Sequence, residues 1–169
     1  MDRSSGFPPI AAAGAKVLVL GSLPSRKSIE ASEYYAHPQN AFWRIMGELF
    51  GAGPEVSYEA RTESLKSNGI AVWDVLSSSV RPGSMDSDID IATAKPNNFS
   101  SFFKCNADIG LVCFNGKKAA WMFEDLILKR HPELAQGLTL ETLPSTSPAY
   151  ASMSFEVKLA KWSIVLQRE

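Results

Sequence analysis

Histidine is nearly missing from this chain: only His37 and His131 occur among its 169 residues, and each precedes a proline. That scarcity argues against a paired-histidine metal centre. Cysteine is as rare. Cys105 and Cys113 lie in apolar surroundings and lack the spacing of a zinc or cluster site, which predicts core packing in a reducing compartment and no metal. The sequence holds no G-x-x-x-x-G-K-[ST] phosphate loop, no G-x-G-x-x-G and no G-x-S-x-G elbow, so no cofactor is expected. A surplus of one charge is also lacking. Seventeen Lys and Arg against 18 Asp and Glu leave a formal net charge of −1. No global positive field therefore advertises nucleic acid, which excludes a coating protein yet permits a focused contact with few phosphates. No apolar run reaches membrane-spanning length, and no basic stretch followed by a long apolar core opens the chain. A cytoplasmic monomer without membrane contact is the expectation.

What is present describes an ordinary globular protein. Apolar residues make up 45% of the chain and charged ones 21%. Its length allows one domain with a substantial core. Residues 1–15 carry Ser, Gly, Pro and Ala without periodicity and read as a loose leader, leaving residues 16–169 as a single domain. Short apolar runs at 16–20, 70–73, 109–114 and 138–143 read as four strands. Helical spacing follows at 42–50, more weakly at 58–68, after Asn98 as a cap, after Asn115-Gly116, and at 155–166 with Phe155, Leu159, Trp162 and Leu166 inward. Alternating strands and helices imply an α/β fold: a three-layer αβα arrangement around a central, mostly parallel four-stranded sheet. Residues 77–90 are polar, hold Arg81-Pro82-Gly83, and read as a long functional loop.

Parallel strands joined by right-handed crossovers present their carboxyl ends at one edge. Four polar segments then converge there: Gly21-Ser22-Leu23-Pro24-Ser25, the stretch after Asp74, Asn115 to Lys118, and Pro144-Ser145-Thr146-Ser147-Pro148. Among them falls Tyr34-Tyr35-Ala36-His37-Pro38-Gln39-Asn40-Ala41-Phe42-Trp43. Four aromatic rings with one uncharged amide fit a pocket wall that stacks on a flat ligand, with Asn40 as its polar probe. They fit equally a loop whose tyrosines cover the core and whose Asn40 begins a helix. A neutral cleft of amides, hydroxyls and backbone N–H groups suits reactions whose leaving group stabilises itself once fixed hydrogen bonds meet its charge. N-glycosidic cleavage is one such reaction.

The residues from Val17 to Met46 resemble the first motif region of the uracil-DNA glycosylase superfamily, most closely its hypoxanthine-DNA (deoxyinosine) glycosylase branch. Gly21 to Ser25 is similar to the water-activating loop, Tyr35 to Trp43 to the stacking segment, and Leu143 to Tyr150 to the minor-groove loop. The resemblance implies a monofunctional enzyme that flips a deaminated base (hypoxanthine, then uracil or xanthine) out of DNA and initiates base excision repair. Leu23 stands where many members carry a water-activating Asp or Asn, and Leu143 where the uracil-specific branch carries a His. The resemblance therefore moves catalysis to Asn40. It implies that Tyr35 stacks on the base, that Gly21, Ser22 and Leu23 meet the base edge, and that Asp74 reads an N–H donor. It further implies DNA contacts from Ser25, Asn115, Lys117, Pro144, Ser145, Thr146, Ser147 and Tyr150. Other roles remain open for several of these: a helix cap for Asn40, a turn cap for Asp74, solvated faces for the lysines. Two rival functions are a sensor that binds damaged DNA without turnover and a hydrolase of free nucleosides.

Overall fold

Every residue of the first two central strands is buried, because each strand has a neighbour on both sides or a cover on both faces. A computed structural model describes residues 2–167. It contains seven strands: β1 (Arg3–Ser5), β2 (Val17–Gly21), β3 (Ile70–Asp74), β4 (Leu76–Val80), β5 (Lys95–Pro96), β6 (Leu111–Asn115) and β7 (Thr139–Leu143). Six α-helices accompany them: α1 (Arg26–Ala31), α2 (Phe42–Phe50), α3 (Tyr58–Ser67), α4 (Phe99–Cys105), α5 (Lys117–Phe123) and α6 (Phe155–Trp162). Strands β3-β2-β6-β7 form the expected four-stranded sheet, and all three of its pairings are parallel.

Alternation along the strands sends side chains to two cores. Leu18, Leu20, Val112 and Phe114 join Trp73, Phe99, Met122 and Phe123 on one face. Val17, Val19 and Cys113 join Phe42, Trp43, Ile45, Met46 and Trp162 on the other. At β2, full burial on both faces explains the continuous apolar run V-L-V-L. Asn98 caps α4 through Ser101 N–H at 3.0 Å, as its position implies.

Four expectations need correction. Residues 1–15 are not loose where they are described: β1 pairs antiparallel with β4, and Ile10 bridges Val72. Such contacts need no periodicity in the leader, because only three residues pair and one inserts. The span read as a long loop begins as strand β4 in a second, antiparallel sheet, β1-β4-β5. Ser77, Ser78 and Ser79 concealed it, since serine carries no strand signal. Leu166 is 45% exposed while Val165 is buried, because the last helix tightens into a 3₁₀ turn after Trp162 and rotates the following side chains. Cys105, at the end of α4, is exposed; Cys113 is buried as expected.

The second sheet matters for what it carries. Asp90 N–H donates to Val80 O at 2.9 Å, closing residues 81–89 into an excursion whose ends are pinned, and buried Ile89 anchors it. That excursion meets the loop after β2, where Asp86 accepts from Ser22 Oγ and Arg81 Nη2 donates to Pro24 O.

Candidate functional site

The backbone of β2 ends at Gly21, and the neighbouring β3 ends at its register partner Asp74. A Cβ placed on Gly21 would lie 2.6 Å from Asp74 Oδ1 and 2.7 Å from the Tyr35 hydroxyl. Only glycine lets both groups approach the strand tip so closely. Around this point lies a cavity of about 490 Å³, within the usual range for a small-ligand site.

Tyr34 and Tyr35 are adjacent in sequence but take different roles. Tyr34 turns into the core, where its hydroxyl donates to Pro8 O at 2.8 Å and its carbonyl accepts from Trp43 Nε1 at 2.7 Å. Tyr35 has φ of 54°, a left-handed backbone that a bulky residue adopts only when its surroundings force it. Its ring packs on Phe42 with centroids 4.2 Å apart, and it lines the cavity. Its hydroxyl is buried, with the Asn115 side chain beside it but no hydrogen bond of good geometry. Burial first, and then the charge of Asp74, push that phenol above the usual tyrosine range.

Asn40 lines the same cavity, as do Tyr35 and the two proline-bearing loops. Its Oδ1 accepts from Phe42 N–H at 2.9 Å, an Asx-type bond that opens α2. That bond and the cavity position coexist, while the N-cap of α2 itself is Ala41, without a side-chain cap. An amide oxygen has two lone pairs, so the bond that fixes the carboxamide leaves one acceptor site. His37 Nδ1 accepts from Gln39 N–H at 3.1 Å, which ties that ring to its own turn.

The far wall is built by β6 and the loop after β7. Asn115 Nδ2 donates to Thr146 Oγ1, and Thr146 N–H donates to Asn115 Oδ1, both at 2.9 Å. Ala41 N–H donates to Thr146 O at 3.0 Å, joining this loop to the Asn40 segment. Asn115 and Thr146, expected among the DNA contacts, are 7% and 1% exposed and spend their side chains on each other. Ser145, Ser147 and Tyr150 remain on the cavity rim, with Ser25 opposite. Lys117 is exposed at the start of α5 and outside the cavity wall. Pro144 also lies outside it, its carbonyl accepting from Trp162 Nε1 at 2.9 Å. Gly21, Ser22, Leu23 and Asp74 all line the cavity.

Sequence reasoning missed the acidic partner of Asp74. Asp86, in the 81–89 excursion, reaches the cavity and accepts from Ser22 Oγ at 2.5 Å. Arg81 is 3% exposed; its Nη2 donates to Pro24 O at 2.5 Å, while Nε and Nη1 have no partner. Burial, then the neighbouring Asp86, push the Asp74 carboxyl up to about 7, with Arg81 opposing. Burial raises Asp86 as well, against its Ser22 hydrogen bond and the charges of Arg81 and Lys118. Lys158 was also missed. Its Nζ donates to Tyr150 O at 2.6 Å and lies 5.2 Å from that ring, bracing the loop from α6. A buried lysine inside an amphipathic helix gives no sequence signal beyond one polar residue on the inward face.

Among the described residues, no group of His, Cys, Asp and Glu could hold a metal, and no helix is long and apolar enough to cross a membrane. The family model of the uracil DNA glycosylase superfamily matches residues 8–165. A protein of Methanosarcina acetivorans named hypoxanthine DNA glycosylase is 35% identical over 165 residues, covering 96% of this chain and 97% of that protein. A protein of the same name from Methanosarcina barkeri is 39% identical over 118 residues, covering 69% and 73%. The solution NMR structure of a candidate uracil DNA glycosylase from Methanosarcina acetivorans superposes with a TM-score of 0.79 at 34% identity, covering 98% of both chains.

Proposed function

Because the chain belongs to the uracil DNA glycosylase superfamily, we propose that it is a monofunctional DNA glycosylase that removes deaminated bases, hypoxanthine first. The observation that supports this most is the joint placement of Asn40 and Tyr35 in one cavity at the strand tips. The relatives named hypoxanthine DNA glycosylase favour that base.

Duplex stacking hides the glycosidic bond, so the target nucleotide is extruded at a cost of a few kcal/mol, less when the base is already mispaired. The expelled ring stacks on the open face of Tyr35, whose other face rests on Phe42. The C1′–N bond breaks and its electron pair leaves with the base. The sugar becomes oxocarbenium-like, and water held by the free lone pair of Asn40 Oδ1 adds at C1′. Asn40 orients that water and cannot store its proton, so the proton passes to solvent. No lysine takes part as an amine nucleophile, and the product is an abasic site in an unbroken strand. Ser25, Ser145 and Ser147 contact phosphates on the rim, and Tyr150 enters the gap left in the duplex.

The test is a panel of duplex oligonucleotides, each carrying one deaminated base, scored for alkali-labile sites. Hypoxanthine is expected to give the fastest release. Binding without release would mark a sensor, and release from free deoxyinosine alone would mark a nucleoside hydrolase. Asn40→Ala is expected to slow base release by about 100-fold or more, the scale of one lost water-positioning contact, with duplex affinity nearly kept. Near-normal turnover would remove Asn40 from the mechanism.

A further inference from the structure

Two carboxyl groups flank the tip of β2. Asp74 Oδ1 lies 2.6 Å from where a Cβ of Gly21 would stand, and Asp86 Oδ1 accepts from the hydroxyl of the next residue, Ser22, at 2.5 Å. Both line the cavity, on strands and loops distant in sequence. Asp74 is 4% exposed, and its Oδ2 has no hydrogen-bond partner in the protein. A buried carboxyl oxygen without a partner is costly unless a ligand supplies one.

The surroundings of the two groups differ. Burial raises both carboxyls, but Asp86 has the Ser22 hydroxyl as donor and the cations Arg81 and Lys118 nearby, which oppose that rise. Asp74 faces Tyr34 and Tyr35, whose phenols stay neutral, together with Asp86 and the more distant help of Arg81. Arg26 and Asp88 act on Arg81, and His37 lines the same cavity. The asymmetry predicts that Asp86 ionises first and that Asp74 keeps its proton longer.

Resting on the glycosylase reading above, we propose that Asp86 is a specificity-determining residue which, with Asp74, reads the edge that deamination of adenine or cytosine creates. Adenine and cytosine each present a ring nitrogen lone pair beside an amino group. Deamination turns these into a ring N–H beside a carbonyl, in hypoxanthine and uracil alike. The Asp86 carboxylate accepts from the ring N–H, and the Asp74 O–H donates to the adjacent carbonyl. Against adenine or cytosine the same carboxylate faces a lone pair, and repulsion rejects the base. One acid pair thereby separates hypoxanthine from adenine and uracil from cytosine.

Base release is measured in single turnover across pH, from duplexes carrying hypoxanthine or unsubstituted purine, which lacks the N–H and the carbonyl. With the unaltered protein, hypoxanthine release is expected to fall as pH rises through about 7, where Asp74 loses its donor. Asp86→Asn keeps an acceptor for Ser22 but removes the neighbouring charge. It is expected to move that inflection down by about one pH unit and to narrow the hypoxanthine-over-purine preference about tenfold. Asp74→Asn is expected to abolish the inflection. An Asp86→Asn protein with unchanged inflection and preference overturns the proposal. Carbon-13 NMR titration of the aspartate carboxyls in the free protein separates this idea from the function it rests on. Two ordinary, uncoupled carboxylates overturn the pair even in an active glycosylase. A coupled pair in a protein that releases no base overturns the base-reading role along with the glycosylase function.

Discussion

Gly21 stands where two polar side chains close on the backbone, and any Cβ there would displace Asp74 or Tyr35. Asp74 is buried and Tyr35 is braced on Phe42, so neither yields freely. Gly21→Ala is expected to cost about 1–3 kcal/mol of stability, the usual scale of overpacking. It is expected to lower base release much further, because the displaced groups are those proposed to meet the base. Thermal unfolding and single-turnover kinetics on the same preparation check both outcomes. The residue scale also explains Tyr35. Its left-handed backbone takes it out of line with Tyr34, so that the Tyr34 hydroxyl reaches Pro8 O while the Tyr35 hydroxyl reaches the strand tip at Gly21. Periodicity could not have separated them, since both are the same residue type in adjacent positions.

Among the elements, the reciprocal hydrogen bonds between Asn115 and Thr146 clamp the end of β6 to the loop after β7. The Ala41–Thr146 bond extends that clamp to the start of α2, which carries Asn40. Thr146→Val keeps the shape but leaves Asn115 Nδ2 unpaired inside the protein. A loss of about 1–3 kcal/mol is expected from that orphaned donor, read by denaturant unfolding. Base release is expected to fall alongside, because the loop and the Asn40 segment share the clamp. Unchanged stability would show that water enters to replace the hydroxyl. The second sheet works on the same scale: by pinning residues 81–89 at Val80 and Asp90, it brings Asp86 to a strand tip from which it is distant in sequence.

For the whole molecule, the raised carboxyl of Asp74 links stability to pH. Its folded value of about 7 exceeds the ordinary 3.8, so the folded state holds that proton more tightly than the unfolded chain. Its contribution is full below about pH 4, shrinks as pH rises, and is gone once pH passes about 7. Asp74→Asn is therefore expected to match the unaltered protein near pH 4 and to exceed it at pH 8, by up to about 4 kcal/mol. Equal unfolding free energies at both pH values would refute the linkage. Salt acts at this scale too. With a formal net charge of −1, duplex affinity is expected to fall with only a shallow slope in log salt. A slope near −10, as for a large repressor, would contradict contact with few phosphates.

The sequence by itself determined the central sheet. Short β-branched runs with polar residues at their carboxyl ends admit few arrangements other than parallel strands between helices, and β2, β3, β6 and β7 lie where those runs are. It also placed Gly21, Asp74 and Asn115 at one edge, because crossover handedness puts strand ends together. Only the tertiary structure decided what each polar group faces. Ser22 and Asp86 are 64 positions apart, and Asn115 and Thr146 are 31 apart, so no local pattern could pair them. The second sheet escaped notice because its strands are short, two of them serine-rich and the third only Lys95–Pro96, and their pairing is set by long-range hydrogen bonds rather than by hydrophobic alternation. Local propensity acts over a few residues, whereas burial and charge act across space. That difference leaves the framework readable from the chain and the proton on Asp74 readable only from the fold.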